Sequence, residues 1–257
     1  MRDTIDGMTA QEIQTIYAST TEAYRRFAQI KGFEPHATEL GGGTKAHWIG
    51  FEASERTIIH LQQGIAAVDH VITTLRKRPS SIVLSGNSAG GNLVMGVVSH
   101  ILHPHPSCKA LHVEEPFAGL LLLSPWISMC YTAASYQTNE DHDVLHASSL
   151  ERWGHLWKGT AEHDAYTDAS TAPVDWWEGL DKVVKNVLMT AGALELMVDS
   201  ICGFGKQIQM HHALVQTMVA ADETHDQAFI DLDFGFGEYR ESAQYIMEWN
   251  EAIFQRI

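Results

Sequence analysis

Residues 81–98, "SIVLSGNSAGGNLVMGVV", carry an apolar run (Ile82, Val83, Leu84) into a Gly-x-Ser-x-Gly turn at Gly86, Ser88 and Gly90, and a small-residue helix leaves it. A serine hydroxyl is a weak nucleophile until a base takes its proton and a third group orients that base. A sharp strand-to-helix turn helps by lifting the hydroxyl clear of a sheet and aiming the first helical amides at the reacting centre; side chains at Gly86 and Gly90 would clash in so tight a turn. The plain alternative is a serine between glycines in a loop. Context separates the two, because a strand precedes this serine and a helix follows it.

A base and an acid for Ser88 should follow it in the chain. "LMTAGALELMVDS" leaves an apolar strand and sets Glu195 and Asp199 in the loop beyond, and "ADETHDQAF" sets His225 after the last strand expected. Singly, each has an ordinary reading as a solvated carboxylate or a surface histidine. In the order serine, acid, histidine, each at a strand end, they form a much stronger signal together, with Glu195 and Asp199 both in place to supply the acid.

The elements that must hold these residues follow from periodicity. Residues 9–30 place Ile13, Ile16, Tyr17, Tyr24, Phe27 and Ile30 near helical spacing. Two short alternating segments around Gly41, Gly42 and Gly43 predict a hairpin. "RTIIHL", "SIVLSG", "FAGLLLLSPW" and "KNVLMTAG" predict strands, the third continuous enough in apolar residues for a strand covered on both faces. A helix is expected from about Asp199 to the mid-210s, "TMVAADETHD" is read as closing the sheet, and "YRESAQYIMEWNEAIF" predicts a final amphipathic helix. Strands alternating with helices predict a mostly parallel α/β sheet. A single domain over 1–257 is expected, with residues 127–180, polar and aromatic, as a helical cap. There Trp176 and Trp177 fit either an apolar substrate pocket or simple packing of cap on core.

Composition narrows the partners. Acidic residues outnumber basic ones 32 to 17, for a formal net charge of -15, with no basic block, so nucleic acid and anionic membranes are poor partners. The N-terminus lacks the apolar core of a signal peptide and no apolar run could span a bilayer, so a cytoplasmic protein with no integral membrane segment is expected. Three cysteines without a C-x-x-C pair read as reduced, mostly packed thiols. Fifteen histidines are scattered without an H-E-x-x-H pattern, and "NEDHDVLH" (139–146) reads as a solvated polar loop, so no metal is expected.

The stretch "SGNSAGGNL" resembles the hormone-sensitive-lipase-like branch of the α/β-hydrolase fold (α/β-hydrolase fold-3), its fungal esterases and deacetylases in particular. "LLLLSPWISM", "YTDASTAPVDWWEGL", "TAGALELMVDS" and "ETHDQAFID" extend the likeness over roughly residues 30–256. The resemblance implies an α/β-hydrolase fold and a serine hydrolase acting on carboxylic (acetyl or short acyl) esters of a hydrophobic small molecule. Ser88 would be the nucleophile, His225 the base and Glu195 the acid. Asp199 would be the later acid of the relatives' A-E-x-D-P-L-x-D or G-E-x-E-V-x-x-D loop, and the Ala89 amide an oxyanion donor. Leu194 and Val198 depart from the polar neighbours usual there. No metal or cofactor is implied; a homodimer stays open.

The relatives draw further oxyanion donors from an H-G-G-G loop after the third strand, and this sequence has none. "RTIIH" runs straight into "LQQGIAAVDHVITTL", which resembles a helix that in relatives comes only after another helix and strand, so one strand-helix segment is expected to be lost at His60 to Gln62. Losing one oxyanion donor costs on the order of 10² to 10³ in turnover. Losing a strand exposes apolar sheet and unpaired backbone. An incomplete gene model or splice product explains the abrupt join best. A catalytically impaired small-molecule binding protein, as plant gibberellin receptors are on this fold, is the alternative.

Overall fold

Gly119–Leu123, the most continuously apolar stretch of the chain, forms a strand buried at every residue. Burial on both faces requires layers on both sides, and the computed structural model supplies them. It describes residues 19–41, 43–61, 64–234 and 239–255, in two compact units, Met1–Glu55 and Arg56–Ile257.

In the first unit, α1 (Thr20–Lys31) begins at Ser19, whose hydroxyl accepts the Glu22 N–H at 3.3 Å, and ends at Gly32 with φ 72°. The expected helix therefore runs from Thr20, and its residues 9–18 lie outside the described residues. Strands β1 (His36–Gly41) and β2 (Thr44–Trp48) pair antiparallel as the predicted hairpin, with Gly42 outside the described residues. The Tyr24 hydroxyl pins helix to hairpin: it accepts the His36 N–H at 2.8 Å and lies 2.6 Å from the Trp48 carbonyl oxygen.

The second unit is built around a five-stranded parallel sheet: β3 (Thr57–His60), β4 (Ile82–Asn87), β5 (Gly119–Leu123), β6 (Val187–Gly192) and β7 (Val215–Ala220), in that spatial order. Helix α2 (Ile65–Asp69), continuing as a π-turn over His70–Thr74, joins β3 to β4, and α3 (Ala89–Leu102) joins β4 to β5. Between β5 and β6 come α4 (Ser135–Thr138), α5 (Ala147–Lys158), two 3-10 turns (Ala169–Thr171 and Val174–Trp177) and α6 (Leu180–Val183). Helix α7 (Val198–Gln209) joins β6 to β7, and α8 (Gln227–Phe234) and α9 (Glu241–Gln255) end the chain.

Trp249 and Ile253 of α9 cover one face of the sheet over Val83, Leu121, Leu123 and Leu188. A side chain at Gly119 would meet the Trp249 ring at 2.6 Å, so the indole fixes glycine there. Helix α7 stops at Gln209, short of the mid-210s, because buried His212 turns the chain: its Nε2 donates to the Val184 carbonyl at 2.8 Å and its Nδ1 accepts the Leu214 N–H at 3.0 Å. Strand β3 is the outermost strand at its side of the sheet, and its Ile58 is 47% exposed. Cys108 and Cys130 are exposed rather than packed, since both sit in polar loops; all three cysteines are free. Among the described residues no helix is long and apolar enough to cross a membrane.

Candidate active site

Ser88 stands between the last residue of β4 and the first of α3, with φ 49° and ψ -119°. That region is costly for any residue with a Cβ, on the order of 1–3 kcal/mol, and persists only where the surroundings enforce it. Here the Ser88 N–H donates to the Leu123 carbonyl at 2.9 Å, and its carbonyl accepts the N–H groups of Gly91 (3.0 Å) and Trp126 (2.9 Å). A Cβ at Gly86 would collide with the Gly90 carbonyl, and one at Gly90 with the Leu61 carbonyl. Both glycines are thus required by close backbone approach. The Ala89 amide opens α3 and is one of the four that no helical carbonyl can take.

Glu195 and His225 come together from the loops after β6 and β7. His225 Nδ1 lies 2.9 Å from Glu195 Oε2, while Glu195 Oε1 accepts the Gly192 N–H at 3.1 Å. Burial raises the Glu195 pKa, opposed by the hydrogen bond and charge of His225 and by the Ser124 hydroxyl. For His225 burial acts downward, but the Glu195 hydrogen bond and the charges of Asp226, Glu195 and Asp143 outweigh it and carry the pKa up to about 9.

No hydrogen bond joins Ser88 Oγ to His225 among the described residues. His225 Nε2, the nitrogen that faces away from Glu195, lies 3.5 Å from Asp226 Oδ2. Asp226 has φ 54°, and the same carboxylate oxygen accepts Asn87 Nδ2 at 2.7 Å. Asn87 Oδ1 is 3.1 Å from His60 Nε2, and His60 Nδ1 is 3.2 Å from Ser85 Oγ. A polar chain therefore runs from β3 across the serine turn to His225. Burial raises the Asp226 pKa against the opposing His225 charge and Asn87 hydrogen bond.

The remaining sequence candidates lie elsewhere. Asp199, in the first turn of α7, accepts the Ser135 N–H at 2.9 Å and so holds α4 rather than His225. Trp177 is wholly buried with its ring 5.4 Å from that of Phe204, and Trp176 Nε1 donates to Ser99 Oγ at 3.2 Å. Ser99 lies eleven residues beyond Ser88 along α3, roughly 16 Å at 1.5 Å per residue. These are packing contacts, to Phe204 for Trp177 and to Ser99 of α3 for Trp176. The loop read as solvated holds a surprise: Asp143 is fully buried, with Oδ1 accepting the Val144 N–H (2.7 Å) and the His225 N–H (3.1 Å), and Oδ2 accepting the Leu196 N–H (2.8 Å). Its only trace in the sequence is its place among polar neighbours, which gives no sign of burial. His146 in that loop pairs with Glu140 at 2.8 Å.

The family described as the alpha/beta hydrolase fold matches residues 55–229, and the chain belongs to it. Among solved structures, the esterase E25 is similar at 16% identity, covering 98% of this chain and 89% of that one, with a TM-score of 0.70. An esterase from the bacterial hormone-sensitive lipase family is similar at 18% identity, with 88% and 89% coverage and a TM-score of 0.61. The chain spans less than half of two mutants of the esterase rPPE, 42% of one and 48% of the other; the latter shares 17% identity over 63% of this chain, with a TM-score of 0.52. At these identities the likeness is one of fold. No curated protein matches the chain.

Proposed function

We propose that the chain is a serine hydrolase of carboxylic esters, acetyl or short acyl esters of a hydrophobic small molecule. Ser88 attacks the acyl carbonyl, His225 takes its proton and returns it to the leaving alcohol, Glu195 orients the imidazole, and the Ala89 N–H binds the developing oxyanion. The observation that carries this reading is the buried His225–Glu195 pair at 2.9 Å, facing the end of the sheet from which the strained Ser88 turn projects. Family membership supports it, as do the names of the similar structures, which are esterases. The test is hydrolysis of p-nitrophenyl acetate by the purified chain beside Ser88→Ala: turnover lost in the variant supports the reading, and equal rates refute it.

A second reading has its own observation. Asp226, not Ser88, faces His225 Nε2, and the sequence carries no H-G-G-G loop between β3 and α2. On this reading the chain is an impaired enzyme that binds a small molecule, or the product of a gene model lacking one strand-helix segment; the half-exposed Ile58 on the outermost strand fits a lost neighbour. Of the join at His60 to Gln62, Gln62 lies outside the described residues. Tight ligand binding unchanged in Ser88→Ala, with no turnover by either protein, would favour the binding protein. A transcript with an extra segment at this point would favour the incomplete one.

A further inference from the structure

We propose that Asp143 is the positioning residue of this site, its carboxylate fastening the loop that carries Glu195 to the loop that carries His225. The inference rests on the hydrolase reading of Ser88, His225 and Glu195 and extends it to a residue in the segment between β5 and β6. Asp143 touches no reacting atom. It accepts the backbone N–H of His225 itself through Oδ1, and the N–H of Leu196, next to Glu195, through Oδ2.

A wholly buried carboxylate is expensive unless its charge is met. Three backbone N–H groups meet this one, at 2.7, 2.8 and 3.1 Å. Two of the three come from loops separated by the whole of α7 and β7, so one side chain sets the spacing of acid and base. Asn139, four residues earlier, grips the same acid loop by its other groups, donating Nδ2 to the carbonyls of Ala193 and Glu195 at 2.9 Å each. The segment 139–144 thus holds the acid loop by carbonyls at one end and by an amide at the other. No neutral side chain of this size replaces Asp143: asparagine keeps one acceptor oxygen but turns an NH2 toward an N–H that needs an acceptor.

The charge matters beside the geometry. His225 is faced by Glu195 from the loop after β6, by Asp226 from its own loop, and by Asp143 from the segment before α5; Asn87 and Ser124 engage the carboxylate and the N–H of Asp226, and His60 stands behind Asn87. Glu223, also buried nearby in sequence, is engaged by the Ser242 N–H and hydroxyl. Removing the Asp143 charge should therefore ease loss of the His225 proton as well as loosen its position.

The experiment compares the whole chain with Asp143→Asn and Asn139→Ala, following the His225 imidazole by NMR titration and p-nitrophenyl acetate turnover by kinetics. Asp143→Asn is expected to lower the His225 titration midpoint and to reduce the kcat of the alkaline plateau, where His225 is neutral in both proteins, about 10- to 100-fold with KM within about twofold, the scale of a misplaced catalytic group. Asn139→Ala should weaken folding without moving the midpoint. An unchanged midpoint and kcat in folded Asp143→Asn overturns the proposal, as does an equal shift in both variants. If the wild-type chain turns over no ester, the hydrolase reading fails, and the titration alone still decides whether Asp143 governs His225. Should Asp143→Asn not fold, amide exchange in the wild-type chain decides: joint strong protection of the Leu196 and His225 amides supports the clamp, and rapid exchange of either overturns it.

Discussion

His225 Nδ1 and Glu195 Oε2 meet at 2.9 Å with both side chains buried, the imidazole 6% exposed and the carboxylate not at all. A pair so placed engages Nδ1 and leaves Nε2 as the imidazole nitrogen that the proposed triad would use. Glu195→Gln keeps the shape and removes the charge. It is expected to reduce kcat on the order of 10³- to 10⁴-fold with little change in KM, because orientation and stabilisation of the imidazolium act in the transition state. Steady-state kinetics on p-nitrophenyl acetate checks this.

The second carboxylate at the base predicts an unusual pH profile. With a pKa of about 9, His225 is mostly protonated at neutral pH, and in the proposed triad a protonated imidazole takes no proton from Ser88. Activity should therefore rise as pH passes from about 7 through 9. Stability runs the other way, since a raised histidine pKa contributes stability that is full below its ordinary value of 6.5 and lost as pH rises through about 9.

Asp226→Asn keeps an acceptor for Asn87 and suits the positive φ, while removing one charge from the base. The alkaline rise should move to lower pH, and a displacement of one unit would raise the rate at pH 7 about tenfold. A pH–rate comparison of the two proteins reads both effects.

Strain at Ser88 is testable apart from catalysis. Ser88→Gly relieves a backbone cost of about 1–3 kcal/mol and adds an entropic cost of about 0.5–1 kcal/mol, for a net gain near 1 kcal/mol. Its Tm should rise by about 2–4 °C. Ser88→Ala keeps the Cβ and should show no such rise in the same thermal scan.

Two glycines should respond in opposite senses. Gly86→Ala drives a methyl into the Gly90 carbonyl and is expected to cost about 3 kcal/mol or more. Gly203, exposed in α7 with nothing within 4 Å of its added Cβ, should gain about 0.5–1 kcal/mol as alanine. Urea unfolding midpoints separate the two.

The parts of this structure that the sequence announces are those set by short-range patterns. Leu120–Leu123 read as a doubly covered strand because burial on both faces leaves no alternation, and the Gly86–Gly90 turn is visible because close backbone approach demands glycine. The end of α7 was hidden, since it depends on His212 reaching the Val184 carbonyl across 28 residues. Asp143 was hidden for the same reason: its burial comes from amides 53 and 82 residues away in the chain, Leu196 and His225. Asp226 sits beside the histidine picked out in the sequence, yet only the fold brings Asn87 to it across 139 residues. Trp176 and Trp177 show the converse, an aromatic pair whose packing role depends on which helix lies beneath.

The central claim is that Ser88 is a nucleophile activated through His225, and an active-site-directed fluorophosphonate tests it most directly. Purified wild-type chain, incubated with the probe at pH 7 and at pH 9 and analysed by intact mass and peptide mapping, should carry one adduct on Ser88, formed faster at pH 9. Folded wild-type chain that gains no adduct at either pH, or labels elsewhere, would contradict the account.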